Sequence, residues 1–390
     1  MFERAPDALR GPSPLRLATF RHLAAAYAIN ELGNWVGDVA LAILVYDRTG
    51  SALATAGLFV ALRFVPALLA PLLTVRLEVL RAARVLPAIH LAEAVILVTI
   101  AWIAPRFSLP AVLVLAALDG GLAITAKALT RSATAALLSA HDALRQGNAI
   151  LNHGFTLGGA LGPALAGVLV AALGPGSALL LDAATFVAVA AILATAGGLR
   201  VESDRVAGPI GRLRAGVAEA WTRPGVRYLL VAQALALVFF TAVVPIEVVY
   251  AKRTLHAGDA GYGALLAAWG VGMVVGGAGY AGLALAGELW IACAFSALGG
   301  VGNGAEWIAV VTAIQQSVSM VAQSSVMALL ESLNQLMPAV GFMLGGAVAA
   351  LGSPRTTYAI AAGGVLVVLL AAAARRPRAL GCGLLRSPDE

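Results

Sequence analysis

Long apolar runs recur along the whole chain, each close to the roughly 20 residues that a helix needs to cross a bilayer, and short polar connectors rich in arginine separate them. The pattern predicts spans near 22–46, 52–75, 85–104, 108–138, 149–173 and 176–198, then a polar stretch over about 199–227. Further spans are expected near 228–250, 261–285, 287–312, 327–351 and 356–374. The chain therefore reads as six crossings, a linker and five crossings, an all-α polytopic membrane protein.

Composition supports that class. Of 390 residues, 60% are hydrophobic and only 12% charged, about half the charge content of a soluble domain. The net charge of +6 comes mostly from arginines in connectors that face a membrane surface, so it calls for no nucleic-acid partner. Arg4, Arg10, Arg16, Arg21, Arg76, Arg81, Arg84, Arg131, Arg145 and the six arginines of the linker fall on one side, against only Arg48, Arg106, Lys252 and Arg253 on the other. The positive-inside preference then places the N-terminus in the cytoplasm and the protein in the cell's inner (plasma) membrane. The basic N-terminal stretch precedes a long apolar run without an early small-residue cleavage site, so it reads as an uncleaved first span. Cys293 lies in an apolar run and Cys382 in the tail, which gives no basis for a disulfide or a metal site. Nothing in the chain matches a nucleotide-binding loop, a zinc site or a nucleophile triad, so neither a cofactor nor enzymatic chemistry is expected. The linker, with arginines around Leu213, Val217 and Trp221, suits a short amphipathic helix on the inner surface.

The chain carries an internal repeat that relates two halves. Val45, Tyr46 and Gly57 match Val249, Tyr250 and Gly261 at an offset of 204, and Gly167–Gly174 matches Gly345–Gly352 at an offset of 178. The difference of 26 residues is about one crossing, so one helix of the second half is expected to be missing.

Between Ala149 and Leu173, Gly154, Gly158, Gly162 and Ala166 recur every four residues and share one helix face. Lipid supplies no hydrophobic drive between helices, so such a face serves close backbone approach. Pro163 lacks an amide proton and predicts a local bend. Charges inside the spans need a partner or a task, because each costs roughly 2.5–3.5 kcal/mol at mid-bilayer. Glu31 and Asp38 are seven apart with Asn34 between them, one stripe of a helix that suits a wet cavity wall. Either carboxylate could take up and release a proton there. Arg63, deep in the second span, could pair with Asp38 or Glu31 or act on substrate or protons. Asp119, before Gly120 and Gly121, could face the central cavity, and Glu306 beside Trp307 could do so in the second half. Lys127 and Arg131 read as lying further toward the cytoplasm, His90 as a polar residue near the inner end beside Glu93, and Glu247 and Glu331 as interfacial. Asp182 reads as an acid near a helix start, where the dipole favours it.

Six plus six helices around a basic linker resemble the major facilitator superfamily, most of all its macrolide-efflux-like and siderophore-exporter-like carriers. The residues that carry the resemblance are ELGNWVGDVALAILVYDRTGSA (31–52), ALRFVPALLAP (61–71), LRQGNAIL (144–151), DAGYG (259–263), GNGAE (302–306) and MALLESLNQ (327–335), in that order and spacing. The resemblance implies a two-bundle fold, with a six-helix bundle over 1–198, a cytoplasmic linker over 199–227 and a second bundle with a short basic tail over 228–390. It also implies that Gly154, Gly158, Gly162, Pro163 and Gly167 form the antiporter motif of drug exporters, with Ala166 in place of a glycine. The family's usual acidic position in the first span falls on Asn34, beside Asp38. The gating loop between the second and third helices keeps Glu78 and Arg84 but has Thr74 for its glycine and Val79 for an arginine, and the matching segment 315–325 has no Lys or Arg.

The expected function is secondary active transport. It is read as proton-coupled export of small hydrophobic or amphipathic molecules by a monomer in the lipid bilayer, with Glu31, Asp38, Arg63, Asp119 and Glu306 as proton or substrate sites. A degenerate, transport-inactive protein of the same fold and a nutrient uptake permease are the alternatives.

Overall fold

A computed structural model of the chain describes residues 13–67, 82–138, 143–196, 209–272, 288–300 and 320–374, with Val310 and Ile314. Every regular element among them is helical. The first six helices are α1 (Ala18–Thr49), α2 (Ala52–Phe59), α3 (Ala82–Ile103), α4 (Leu109–Leu138), α5 (Leu144–Leu173) and α6 (Pro175–Thr195). After the linker come α7 (Pro209–Thr222), α8 (Pro224–Thr241), α9 (Gly258–Gly272), α10 (Leu289–Gly300), α11 (Met320–Leu351) and α12 (Pro354–Ala374). Seven described helices are long and apolar enough to cross a membrane, and Ala52–Ala67 and Leu289–Gly300 are shorter apolar helices. The expected deletion in the second half bears on 273–287 and 301–309, which lie outside the described residues.

Two π turns interrupt the regular winding. Val60–Phe64 prolongs α2, closed by Val65 N–H donating to the Val60 carbonyl, and carries Arg63. Beyond α8 the chain runs through a 3-10 turn at Val244–Ile246 and one α turn at Glu247–Val249 into a second π turn, Tyr250–Thr254, which carries Lys252 and Arg253. A π turn widens the helix by one residue and re-aims its side chains, which is why such turns gather at functional sites. Between α1 and α2 the chain reverses in two residues. Gly50 takes the left-handed conformation at φ 61° and donates to the Tyr46 carbonyl, a conformation that costs glycine little. Ser51 then caps α2 through the Ala54 N–H at 3.2 Å.

In the first half α1 packs on α5 and α6, α3 on α6, and α4 on α3; in the second, α11 packs on α7 and α8, and α12 on α8. The linker does hold a helix, α7, which buries Ala220 and leaves Val217 and Trp221 exposed. Glu219 and Arg223 pair at 2.6 Å along it, and the Arg227 guanidinium lies 5.5 Å from the Trp221 ring. The two halves meet through α5 with α9 and α2 with α11.

The buried side chains divide unevenly along the molecule. At the end where α1 terminates, one apolar cluster joins both halves, with Val39–Tyr46, Leu58 and Phe59 of the first packed with Val248–Ala251, Tyr262, Phe342 and Tyr358 of the second. The Phe59 and Phe342 rings stand 5.5 Å apart across that boundary. At the opposite end the clusters separate. Leu23, Leu86, Leu129 and Leu193 belong only to the first half, and Val226, Leu230, Val326 and Leu330 only to the second. Among the described residues the halves are thus joined by apolar packing at one end, the sealed end, and share no apolar cluster at the other, the parted end. Away from these cores, Leu157, Leu161, Leu165 and Val168 of α5 are exposed; in a hydrocarbon solvent that stripe is satisfied.

Candidate functional site

A cleft with about 90 Å³ of room for water is lined by Asn30, Glu31, Asn34, Trp35 and Asp38 of α1, Arg63 of the first π turn, Ala123, Ile124 and Lys127 of α4, and Phe155 of α5. By the usual allowance of 10–15 Å³ per water on this measure it holds on the order of six waters. The α1 stripe expected from sequence lies along its wall. Arg63 forms an ion pair with Asp38. Lys127 Nζ lies 3.2 Å from Glu31 Oε1 and 4.6 Å from the centre of the Phe155 ring. The cleft thus carries two acid–base pairs beside two aromatic faces, Trp35 and Phe155. That combination offers proton acceptors and an apolar surface for a ligand in one place. Lys127, Trp35 and Phe155 were not among the sequence candidates, and Lys127 lies level with Glu31 instead of further toward the end of the bundle.

The small-residue face of α5 explains how Phe155 comes to the cleft. A methyl added at Gly154 would stand 3.5 Å from the Tyr27 ring, one at Gly158 3.2 Å from the Glu31 backbone, and one at Gly162 3.4 Å from the Leu32 carbonyl. All three glycines therefore face α1. Pro163 lies inside α5. Further along, the α5 backbone meets the second half: at Gly167 a methyl would come within 2.9 Å of the Asp259 carbonyl and of Gly263 on α9. One helix seats α1 with its first turns and the opposite half with its last.

Behind the cleft lie further acids. Asp119 does not line the cleft; its Oδ1 is buried with no hydrogen-bond partner among the described residues. His90 Nδ1 and Glu93 Oε2 are 2.6 Å apart, with both side chains buried, so His90 is a core residue and not one near the helix end. Asp182 also departs from the sequence reading. It sits two turns into α6, 2% exposed, where it receives the Thr185 hydroxyl at 3.1 Å, too deep for the helix-start dipole to explain it. Glu247 is buried within the protein. Arg84 is exposed in the first turn of α3. Glu78 and Glu306 lie outside the described residues.

The sealed end carries its own charges. Lys252 of the second π turn pairs with Asp47 of α1 and, at 2.6 Å, with Asp259 of α9. Arg253 donates to the Gly50 carbonyl at 3.2 Å and lies 5.5 Å from the Tyr46 ring. The short α1–α2 turn is therefore held by two cations from the other half.

Against known proteins, the sequence profile described as transmembrane secretion effector matches residues 10–285. A search of curated proteins returned no match. Among solved structures the fold is similar to that of the nucleoside transporter NupG, with a TM-score of 0.72 at 11% identity over 92% of this chain and 99% of that one. It is also similar to a bacterial homologue of the iron transporter ferroportin in an inward-facing state, with a TM-score of 0.67 at 13% identity over 92% of this chain and 98% of that one. An inward-facing, unoccupied bacterial homologue of the human lysosomal transporter Spinster gives a TM-score of 0.64 at 16% identity over 93% and 96%. At these identities the structures establish the fold alone, and it is the all-α, two-bundle fold of the major facilitator transporters. With well over half of the sequence matched by one family profile, the chain belongs to the transmembrane secretion effector family of major facilitator transporters.

Proposed function

We propose that the protein is a proton-coupled exporter of small hydrophobic or amphipathic molecules in the inner (plasma) membrane, with the start of α1 facing the cytoplasm. The observation that carries this reading is the cleft, where two carboxylate–cation pairs and two aromatic side chains share one small volume of water. A substrate that displaces that water gains the Trp35 and Phe155 faces, and the pairs answer to proton uptake. The arginine asymmetry supports the orientation, and the family's description as a secretion effector supports export.

In this reading the two halves, 1–198 and 228–390, rock as bodies about the glycine contacts of α5 with α1 and α9, joined by the linker. The parted end opens to the cytoplasm, where substrate enters, and protonation of a cleft carboxylate from outside accompanies its release outward.

Expression in a bacterial host stripped of its own pumps tests the proposal. Cells making the protein are expected to retain several-fold less of a lipophilic cationic dye than empty-vector cells, and a protonophore is expected to abolish the difference. Equal retention across a panel of dyes, macrolides and siderophores, in the presence of a pH gradient, would contradict it.

A further inference from the structure

One set of buried groups in the first half is not used by the cleft. Glu93 of α3 is 1% exposed; its Oε2 faces His90, while its Oε1 has no partner among the described residues. Asp119 of α4 acts electrostatically on Glu93, and Asp182 of α6 acts on both. Asp182 is pressed against Gly33 and Gly37 of α1, where glycine alone leaves room for a carboxylate. Asp38 and Arg63 lie within electrostatic reach of Asp119, so the set borders the cleft through that pair.

Charge balance is the point at issue. Glu93 and Asp38 act on Asp119, and Asp119, Asp38 and Glu93 act on Asp182, while among the described residues Arg63 is the cation that acts on Asp38 and Asp119. Lys127, the other cation nearby, is held by Glu31 at 3.2 Å. A helix bundle in lipid cannot keep such an excess of negative charge unpaired. No cluster of His, Cys, Asp and Glu among the described residues has the spacing of a metal site. The proton is the cation that fits.

Two cavities share part of their lining beside this set. His90 lines a second cavity, about 10 Å³ and so large enough for about one water. Asn30 and Lys127 line both this cavity and the cleft. Tyr27, Thr130, Val189 and Leu193 complete much of its wall, and Arg131 acts on Tyr27 from the side. Asn30 and Lys127 thus stand between the cleft and the cavity at His90, and His90 touches Glu93.

We propose that Glu93, with His90 and Asp119, is a second proton-binding site, set inside the first bundle and fed from the cleft through the one-water cavity. Binding adds one proton to the Glu93 carboxyl, taken from a hydronium in the small cavity by way of the His90 ring. Release returns it to water, and no other bond changes. The site's use in transport rests on the proton coupling proposed above, but its occupancy does not.

Infrared difference spectroscopy of the full chain in phosphatidylethanolamine–phosphatidylglycerol vesicles tests this without any substrate. Stepping the buffer from acid to alkaline, the wild type is expected to show a protonated-carboxyl band that disappears, and Glu93→Gln to lose most of that band. Glu93→Asp is expected to keep a band with a moved midpoint. His90→Phe is expected to keep it and slow its exchange several-fold. Spectra of Glu93→Gln that superimpose on wild type would overturn the site, as would a band that follows sodium concentration at constant pH. Should Glu93→Gln fail to fold, the rate in His90→Phe decides: unchanged exchange overturns the route and the site with it. Because no dye is involved, a failed efflux assay would leave this result standing, and a lost site would leave export standing.

Discussion

Replacing Arg63 by leucine is expected to bring proton-driven dye efflux down to the level of empty-vector cells, and Asp38→Asn is expected to do the same. Each change breaks the same ion pair and leaves its partner's polar or charged group facing a cleft of only about six waters. Removing one member of a fully buried pair costs about 3–5 kcal/mol. Arg63 is half exposed to the cleft, so screening lowers the stability loss here to roughly 1–2 kcal/mol. The double variant Asp38→Leu/Arg63→Leu separates stability from coupling. It removes both charges together and is expected to restore folded protein in the membrane to near wild-type amounts while efflux stays at background. If the pair only held α1 to α2, the double variant would transport. Efflux rates normalised to membrane-inserted protein, measured with and without a pH gradient, read the difference.

The second large effect is expected at Lys252. Its ammonium bridges Asp47 and Asp259 at the sealed end, joining α1 to the second half beside the Arg253–Gly50 contact. Lys252→Ala removes one charge-assisted bond, to Asp47, that exists only while that end is shut, whereas the Asp259 bond lies within the second half. With partial exposure that bond stabilises the shut state by about 0.5–1 kcal/mol, which is roughly a 2- to 5-fold change in the ratio of shut to open molecules. Spin labels at Arg106→Cys and Leu351→Cys sit at this end, one on each half. Their distance distribution is expected to gain a longer component in Lys252→Ala and in Asp47→Asn. Unchanged distances in both would mean that the shared apolar core alone shuts this end.

Much of this arrangement was readable from residue spacing. Glu31, Asn34 and Asp38 share a face because seven residues nearly complete two turns, and all three line the cleft. The glycines of α5 share a face for the same reason, and that face meets α1. The pairing of acids with bases could also have been found by depth. Asp38 lies eleven residues before the end of α1 at Thr49, and Arg63 eleven after the start of α2 at Ala52. Glu31 lies thirteen after Ala18, and Lys127 eleven before the end of α4 at Leu138, so the two stand level within about two residues, or roughly 3 Å. Lys127 was read as lying further toward the cytoplasm, and so was not paired with Glu31.

Other features had no local signal. Asp182 is held by two glycines of another helix, so only tertiary packing explains an acid there. Nothing in VALRF or YAKRT announces a π turn, because the extra residue is imposed by what each helix packs against. Glu247 looked interfacial by its distance along the run, yet the break in α8 folds it into the shared core. The division of the buried side chains into one cluster shared by both halves and separate clusters in each is equally tertiary.

The central claim is that a wet cleft lined by α1, the first π turn, α4 and α5 opens at one end only. Cysteine access at Asn34, in a chain whose Cys293 and Cys382 are replaced by serine, tests it most directly. In sealed vesicles of known orientation, a membrane-impermeant maleimide is expected to label Asn34→Cys from the side at which α1 begins, and far more slowly from the side at which it ends. Labelling from neither side, with the residue reached only by a lipid-soluble reagent, would put the Glu31–Asp38 stripe against acyl chains and contradict the account.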